Sequence, residues 1–212
     1  MGVTKQPKSR ALAKEETRDA LVAAGIALFG EEGLDGPSLD AICERAGYTR
    51  GAFYVHFADR DDFLIAVMQR AGAVFLDAVI AGARGTGGLA VTVRRFVASM
   101  ASGDYPLTRK RGVRPHQLLE ACARSPVIRK QYVSLITVSL ERVAAVVRAD
   151  QQSKILREDV DGDHVATLLL AAVIGAQTML ELGIPLDIEH ISESILTLLE
   201  APSKKLVRAR KT

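Results

Sequence analysis

The sequence predicts an all-α protein, an N-terminal three-helix unit followed by a larger helical body, about nine helices in all. Three observations predict it. Apolar residues recur every three or four positions through almost all of the 212 residues, and no run alternates with period two. Ala, Leu and Val dominate the apolar set, aromatics make up 5% and tryptophan is absent, a composition suited to closely packed helices rather than a β-sandwich. The prolines (Pro7, Pro37, Pro106, Pro115, Pro126, Pro185 and Pro202) fall between the periodic stretches or in their first turns, where a missing N–H is tolerated.

The first helix is expected over 15–31, with Leu21, Ala24, Leu28 and Phe29 facing inward and Gly33 ending it. Ser38 is a good N-cap for a second helix reaching Arg45, and Gly47 supplies the turn. Thr49 caps a third helix reaching His56. A fourth, to about Ala83, starts after Asp59, with Asp62 completing an acidic variant of the capping box. The cluster Gly85-Thr86-Gly87-Gly88 is read as a connector, since no strand precedes it as a phosphate-binding loop requires. Further helices are expected over 89–102, 114–124, 126–149, 163–182 and 187–200, separated by a polar loop at 103–112, Ser125-Pro126, a loop at 151–162 and Gly183–Pro185.

Net charge is +3, too small to name a partner, but its distribution is uneven. Lys5, Lys8, Arg10 and Lys14 stand in an N-terminal arm without acids, and Lys204, Lys205, Arg208, Arg210 and Lys211 in a tail without acids. Such arms suit a polyanion, or are simply solvated. Cys43 and Cys122 sit at apolar helical positions and read as buried free thiols. No apolar leader stands at the N-terminus, and the longest apolar stretch, 165–174, is about half of what a bilayer demands. A cytoplasmic protein without a membrane partner is the expectation. His56, His116, His164 and His190 are scattered, with no metal-site spacing and no nucleophile motif beside them, so neither catalysis, a metal nor a cofactor is expected.

Residues 38–57 carry the main chemical signal. Leu39, Ile42 and Ala46 give the second helix an inner face; Phe53 and Phe57 do so for the third. Small residues, Gly51 and Ala52, occupy the start of the third helix, which is what close approach to base edges in a major groove requires. Thr49 and Arg50 reach bases or phosphates there, and Tyr54 and His56 carry polar groups further along. The alternative readings are a core tyrosine and a half-buried capping histidine.

The run Thr49-Arg50-Gly51-Ala52-Phe53-Tyr54-Val55-His56-Phe57, followed by Arg60, closely resembles the signature of tetracycline-repressor (TetR) family regulators. Leu21-Val22, Ala24-Gly25, Leu28-Phe29, Gly33, Ser38-Leu39, Ile42 and Ala46-Gly47 also stand where that family has small and apolar residues, over about 15–65. Gly25 and Cys43 depart from the usual residues, and Val55 replaces a frequent aromatic. The resemblance implies that Thr49, Arg50, Gly51 and Ala52 face bases and the nearest phosphates. It implies that Tyr54, His56 and Arg60 hold the DNA backbone, and that Ser38 caps the second helix near a phosphate. It also implies four parts: a basic arm (1–14), a DNA-binding domain (15–60), an effector and dimerisation domain (61–200) and a basic tail (201–212).

The eighth helix is apolar nearly all round, and Ile188, Ile191, Ile195 and Leu198 form a seam on the ninth. With Leu169 and Val173, that seam is the expected homodimer interface. An effector pocket follows from the resemblance alone; its candidate lining is Phe96, Met100, Tyr105, Leu118, Cys122, Tyr132, Ile136 and Leu140. The expected function is a ligand-released repressor on palindromic operator DNA, with an activator or a protein-controlled regulator as the alternative and a helical enzyme as the remote one.

Overall fold

The computed structural model describes residues 10–81, 87–102 and 113–201. Among them lie nine helices: α1 (Arg10–Glu32), α2 (Leu39–Ala46), α3 (Arg50–Tyr54), α4 (Arg60–Ile80), α5 (Gly88–Ser102), α6 (Pro115–Arg124), α7 (Pro126–Gln152), α8 (Gly162–Glu181) and α9 (Ile188–Leu199). Most of both basic arms, Tyr105 and Ala83 lie outside the described residues. The chain divides into two compact units, one of residues 1–72 and 106–131, the other of 73–105 and 132–212.

In the first unit α1 starts five residues before the expected position, because Arg10-Ala11-Leu12-Ala13 are good helix formers and nothing breaks them. It ends as expected, with Gly33 left-handed and its N–H on the Phe29 carbonyl at 3.0 Å. The Ser38 hydroxyl accepts from the Ala41 N–H and starts α2. Gly47, at φ 76°, closes it, while the Tyr48 N–H reaches the Cys43 carbonyl at 2.9 Å. The helix α3 is shorter than expected. Beyond Tyr54 the His56 N–H turns to the Phe53 carbonyl, so Val55 and His56 form a tight turn rather than another helical one. At α4 the Asp62 N–H donates to the Asp59 carboxylate, but the Asp62 carboxylate in turn accepts from the Ala58 N–H, one residue before the cap.

Four phenylalanines hold this unit together. Phe63 of α4 packs against Phe29 of α1, Phe53 of α3 and Phe57, with ring centroids 6.0, 5.2 and 5.0 Å away, and all four rings are almost wholly buried. Phe63 thus lies beyond the boundary expected at residue 60, and its contacts reach back across it. Phe63 and Val67 belong to the core of the first unit, which extends to Gly72 and takes in α6 and the start of α7. Gly25 explains itself here: a Cβ would stand 2.5 Å from Phe63 Cζ and 2.8 Å from Val67 Cγ2. Alanine in a helix interior ordinarily gains about 1 kcal/mol over glycine, whereas overpacking costs about 1–3 kcal/mol. Gly25→Ala should thus lower the stability of the chain by about 1 kcal/mol, read from the urea midpoint. A gain would show that α1 and α4 can separate freely.

The second unit contains α5, α8, α9 and the remainder of α4 and α7. Its core is Leu89, Val146, Val147, Leu156, Val165 and Leu196. Asp150, 1% exposed on α7, holds the start of α5: its carboxylate accepts from the N–H groups of Gly87, Gly88 and Leu89 at 3.1, 3.0 and 2.8 Å. The chain after α9 returns to the α7–α8 loop through Arg157 N–H to Leu199 and Ala201 N–H to Ile155.

Both α4 and α8 are long and apolar enough to cross a bilayer by length and composition, which the length of the longest apolar stretch alone does not reveal. Little of α8 is buried by its own chain. Its residues Leu168, Ala171, Ala172, Gly175, Met179 and Leu182 recur at helical spacing on one side, and all but the half-exposed Gly175 are exposed. On α9, Ile191 and Leu198 are exposed, whereas Ile188 and Ile195 are half-buried. Leu169 and Val173, expected at a dimer interface, are half-buried, and Leu169 packs on its own unit's core.

Candidate nucleic-acid interface

The α2–turn–α3 unit is fixed from within and bare on its other side. Ile42, Cys43, Phe53 and Phe57 point inward, while Ser38, Tyr48, Thr49, Arg50, Gly51, Tyr54 and Val55 are exposed and Ala52 is half-buried. Tyr54 is 58% exposed, which removes the core-tyrosine reading. The Thr49 hydroxyl accepts from the Ala52 N–H at 3.3 Å and so sets where α3 begins. Gly51 meets only the Thr49 hydroxyl near its missing Cβ, so it leaves the helix surface low where a base edge would approach.

His56 is half-buried beside Phe57. Burial, with the charges of Lys14 and Arg18, lowers its pKa below the usual imidazole range, so near neutral pH the ring is uncharged. Arg18 also stacks over the Phe57 ring at 5.3 Å. Lys14 and Arg18, four residues apart on α1, thus add positive charge beside the end of α3. Sequence reasoning placed Lys14 in the arm and missed Arg18. Their i,i+4 spacing was visible, but not which helix end lay beside them. The exposed Tyr48, in the turn before Thr49, was also missed.

Arg60 differs from expectation. Its Nη1 donates to the Pro37 carbonyl at 2.8 Å and its Nη2 to the Leu34 carbonyl at 2.7 Å, and the guanidinium lies 5.7 Å from the Phe29 ring centroid. The side chain ties the start of α4 to the loop before α2; it positions the reading unit rather than reaching outward from it. Hydrogen bonds to charged groups contribute about 1.5–3 kcal/mol each. Arg60→Ala should therefore lower stability by about 2 kcal/mol in chemical denaturation. Unchanged stability with weakened DNA binding would restore the phosphate-gripping role.

Burial pushes the thiols of Cys43 and Cys122 up, Asp40 adding to the effect at Cys43. Among the described residues no cluster of three or more His, Cys, Asp or Glu is placed to hold a metal ion. Of the candidate pocket residues, Leu118 and Cys122 belong to the first unit. Phe96, Met100, Tyr132, Ile136 and Leu140 are half-buried residues of the second, with Phe96 edge-on to Phe75 at 6.1 Å.

Two short capped helices joined by a left-handed glycine, resting on the long α1 and on a shared aromatic core, define a helix-turn-helix domain. Residues 21–67 match the family model described as bacterial regulatory proteins, tetR family. The uncharacterized HTH-type transcriptional regulator YwcC of Bacillus subtilis is 39% identical over 57 residues, 27% of this chain and 26% of that protein. The chain thus aligns with about a quarter of the length of the curated relatives it matches. The fold is shared much further. A TetR-family transcriptional regulator from Cytophaga hutchinsonii superposes with a TM-score of 0.75 at 19% identity, covering 94% of this chain and all of the other. SmeT, the repressor of the Stenotrophomonas maltophilia multidrug efflux pump SmeDEF, in its triclosan complex gives 0.65 at 22% identity, covering 88% and 93%.

Proposed function

We propose that this protein is a cytoplasmic DNA-binding transcriptional regulator that represses from a palindromic operator as a homodimer and is released by a small molecule. One observation carries the DNA-binding reading. The face of α3 that holds Thr49, Arg50, Gly51 and Tyr54 is exposed while the opposite face is locked by Phe53 and Phe57, within a segment matching a DNA-binding family. Direct base readout falls to Thr49, Arg50, Gly51 and Ala52; Ser38, Tyr48, Tyr54, His56, Lys14 and Arg18 supply backbone contacts.

Gly175 and its neighbours support the homodimer. A glycine inside a helix costs about 1 kcal/mol relative to alanine. Here a Cβ would meet nothing within 4 Å among the described residues outside its own helix backbone, so the packing described gives no reason for it. A second copy of α8 approaching along Leu168, Ala171, Ala172, Gly175, Met179 and Leu182 supplies one, with Ile191 and Leu198 at its margin. The effector reading rests on the shared fold, which in SmeT accommodates triclosan. The proposed mechanism is a shift of α4 against α1, about the Gly25–Phe63 contact, that spoils the spacing of two recognition helices.

The test is run-off transcription from a promoter carrying a sequence that the purified protein selects from random duplexes. Transcript should fall as protein is added and recover with a hydrophobic ligand that binds it. A rise on adding protein would make it an activator, and no recovery with any bound ligand would remove the effector.

A further inference from the structure

Arg50, the first residue of α3, does not hang free. Its Nε lies 2.6 Å from Oδ1 of Asp40, in the first turn of α2. Both side chains are well exposed, at 59% and 68%, so the pair adds little to stability; exposed ion pairs contribute about 0–1 kcal/mol. What it does is geometric. A guanidinium has five donors in a planar fork. The Asp40 carboxylate lies against Nε as an ion pair, and among the described residues no hydrogen bond or ion pair occupies the Nη1 and Nη2 ends. Those two ends are the ones that meet guanine O6 and N7 together. An unrestrained arginine must lose rotamer freedom to do so, whereas here that freedom is already reduced.

A carboxylate on the DNA-facing side also has a cost, because it repels phosphates. Asp40 is therefore poorly placed for plain affinity and well placed for discrimination. We propose that Asp40 is a specificity-determining residue that braces Arg50 for two-pronged recognition of one guanine in each half-site, and penalises duplexes that lack it. The inference rests on the DNA-binding reading above and deepens it.

The experiment compares the wild-type chain, Asp40→Asn, Arg50→Ala and the double variant by selection from random duplex DNA. Selection is followed by affinity titrations on the selected duplex and on one changed at the guanine, at a fixed salt concentration. Wild type should prefer guanine at one position of each half-site by about tenfold or more. Asp40→Asn should reduce that preference several-fold at that position alone, while binding unrelated duplexes more tightly than wild type. Adding Asp40→Asn to Arg50→Ala should change the preference no further. A structural role for Asp40 would instead weaken binding to all sequences together. An unchanged preference in Asp40→Asn, or an equal loss in the Arg50→Ala background, overturns the brace while leaving the DNA-binding reading intact. A wild-type protein that selects no sequence overturns both.

Discussion

Leu168→Glu combined with Leu198→Glu should convert the protein to a folded monomer and lower its affinity for a palindromic operator by about 10²-fold or more. Both leucines are among the most exposed large apolar residues described, at 70% and 72%, so the chain's own core loses nothing when they become charged. The effect falls on whatever covers them. In a homodimer each substitution is made twice, on both sides of a two-fold axis, and places four carboxylates in an apolar seam. Losing the dimer removes the advantage of engaging two half-sites together, typically 10²–10⁴ in affinity. Sedimentation velocity reads the first effect and titration on the palindrome the second. A dimer that persists would move the interface elsewhere. A monomer with undiminished affinity would mean that each chain binds DNA alone.

Asp150→Ala should destabilise the second unit by about 3 kcal/mol in chemical denaturation. Its carboxylate answers three N–H groups at the start of α5, two of those bonds being fully buried, and alanine leaves them without an acceptor. Losing an N-cap costs about 0.5–2 kcal/mol, and leaving a buried donor unsatisfied about 1–3 kcal/mol. Asp150→Asn keeps one acceptor and should lose roughly half as much by the same reckoning. A loss below about 1 kcal/mol for alanine would show that α5 frays and finds water instead.

These residues also mark where the sequence was legible. Ser38, Gly47 and Thr49 act on N–H and carbonyl groups within a few residues, so the capped pair α2 and α3 could be read from local spacing. Phe53 and Phe57 could be assigned inward by their four-residue step, which in turn set Arg50 and Tyr54 outward. The length of α3 was not legible, because its end depends on how Phe57 turns into the cluster around Phe63. Arg60 was misjudged because its partners, Leu34 and Pro37, lie 26 and 23 residues upstream and are backbone carbonyls without a sequence signature. Asp150 reads as an ordinary polar residue near the end of a helix, and its partners lie 61–63 residues away. Which face of α8 is exposed was not legible, because a helix apolar all round has no periodicity to orient it; only burial of Val165 and Ala166 in its own unit shows which side is left.

The most direct test of the central claim is selection of duplexes from random DNA by the purified wild-type protein. The expected result is an inverted repeat whose two halves are spaced by about one helical turn or a multiple of it, as paired recognition helices require. Enrichment of an unpaired motif would contradict the dimeric operator complex. No enrichment, even after unfolding and refolding to remove any bound ligand, would contradict the reading of α2 and α3 as a sequence-specific DNA-binding unit.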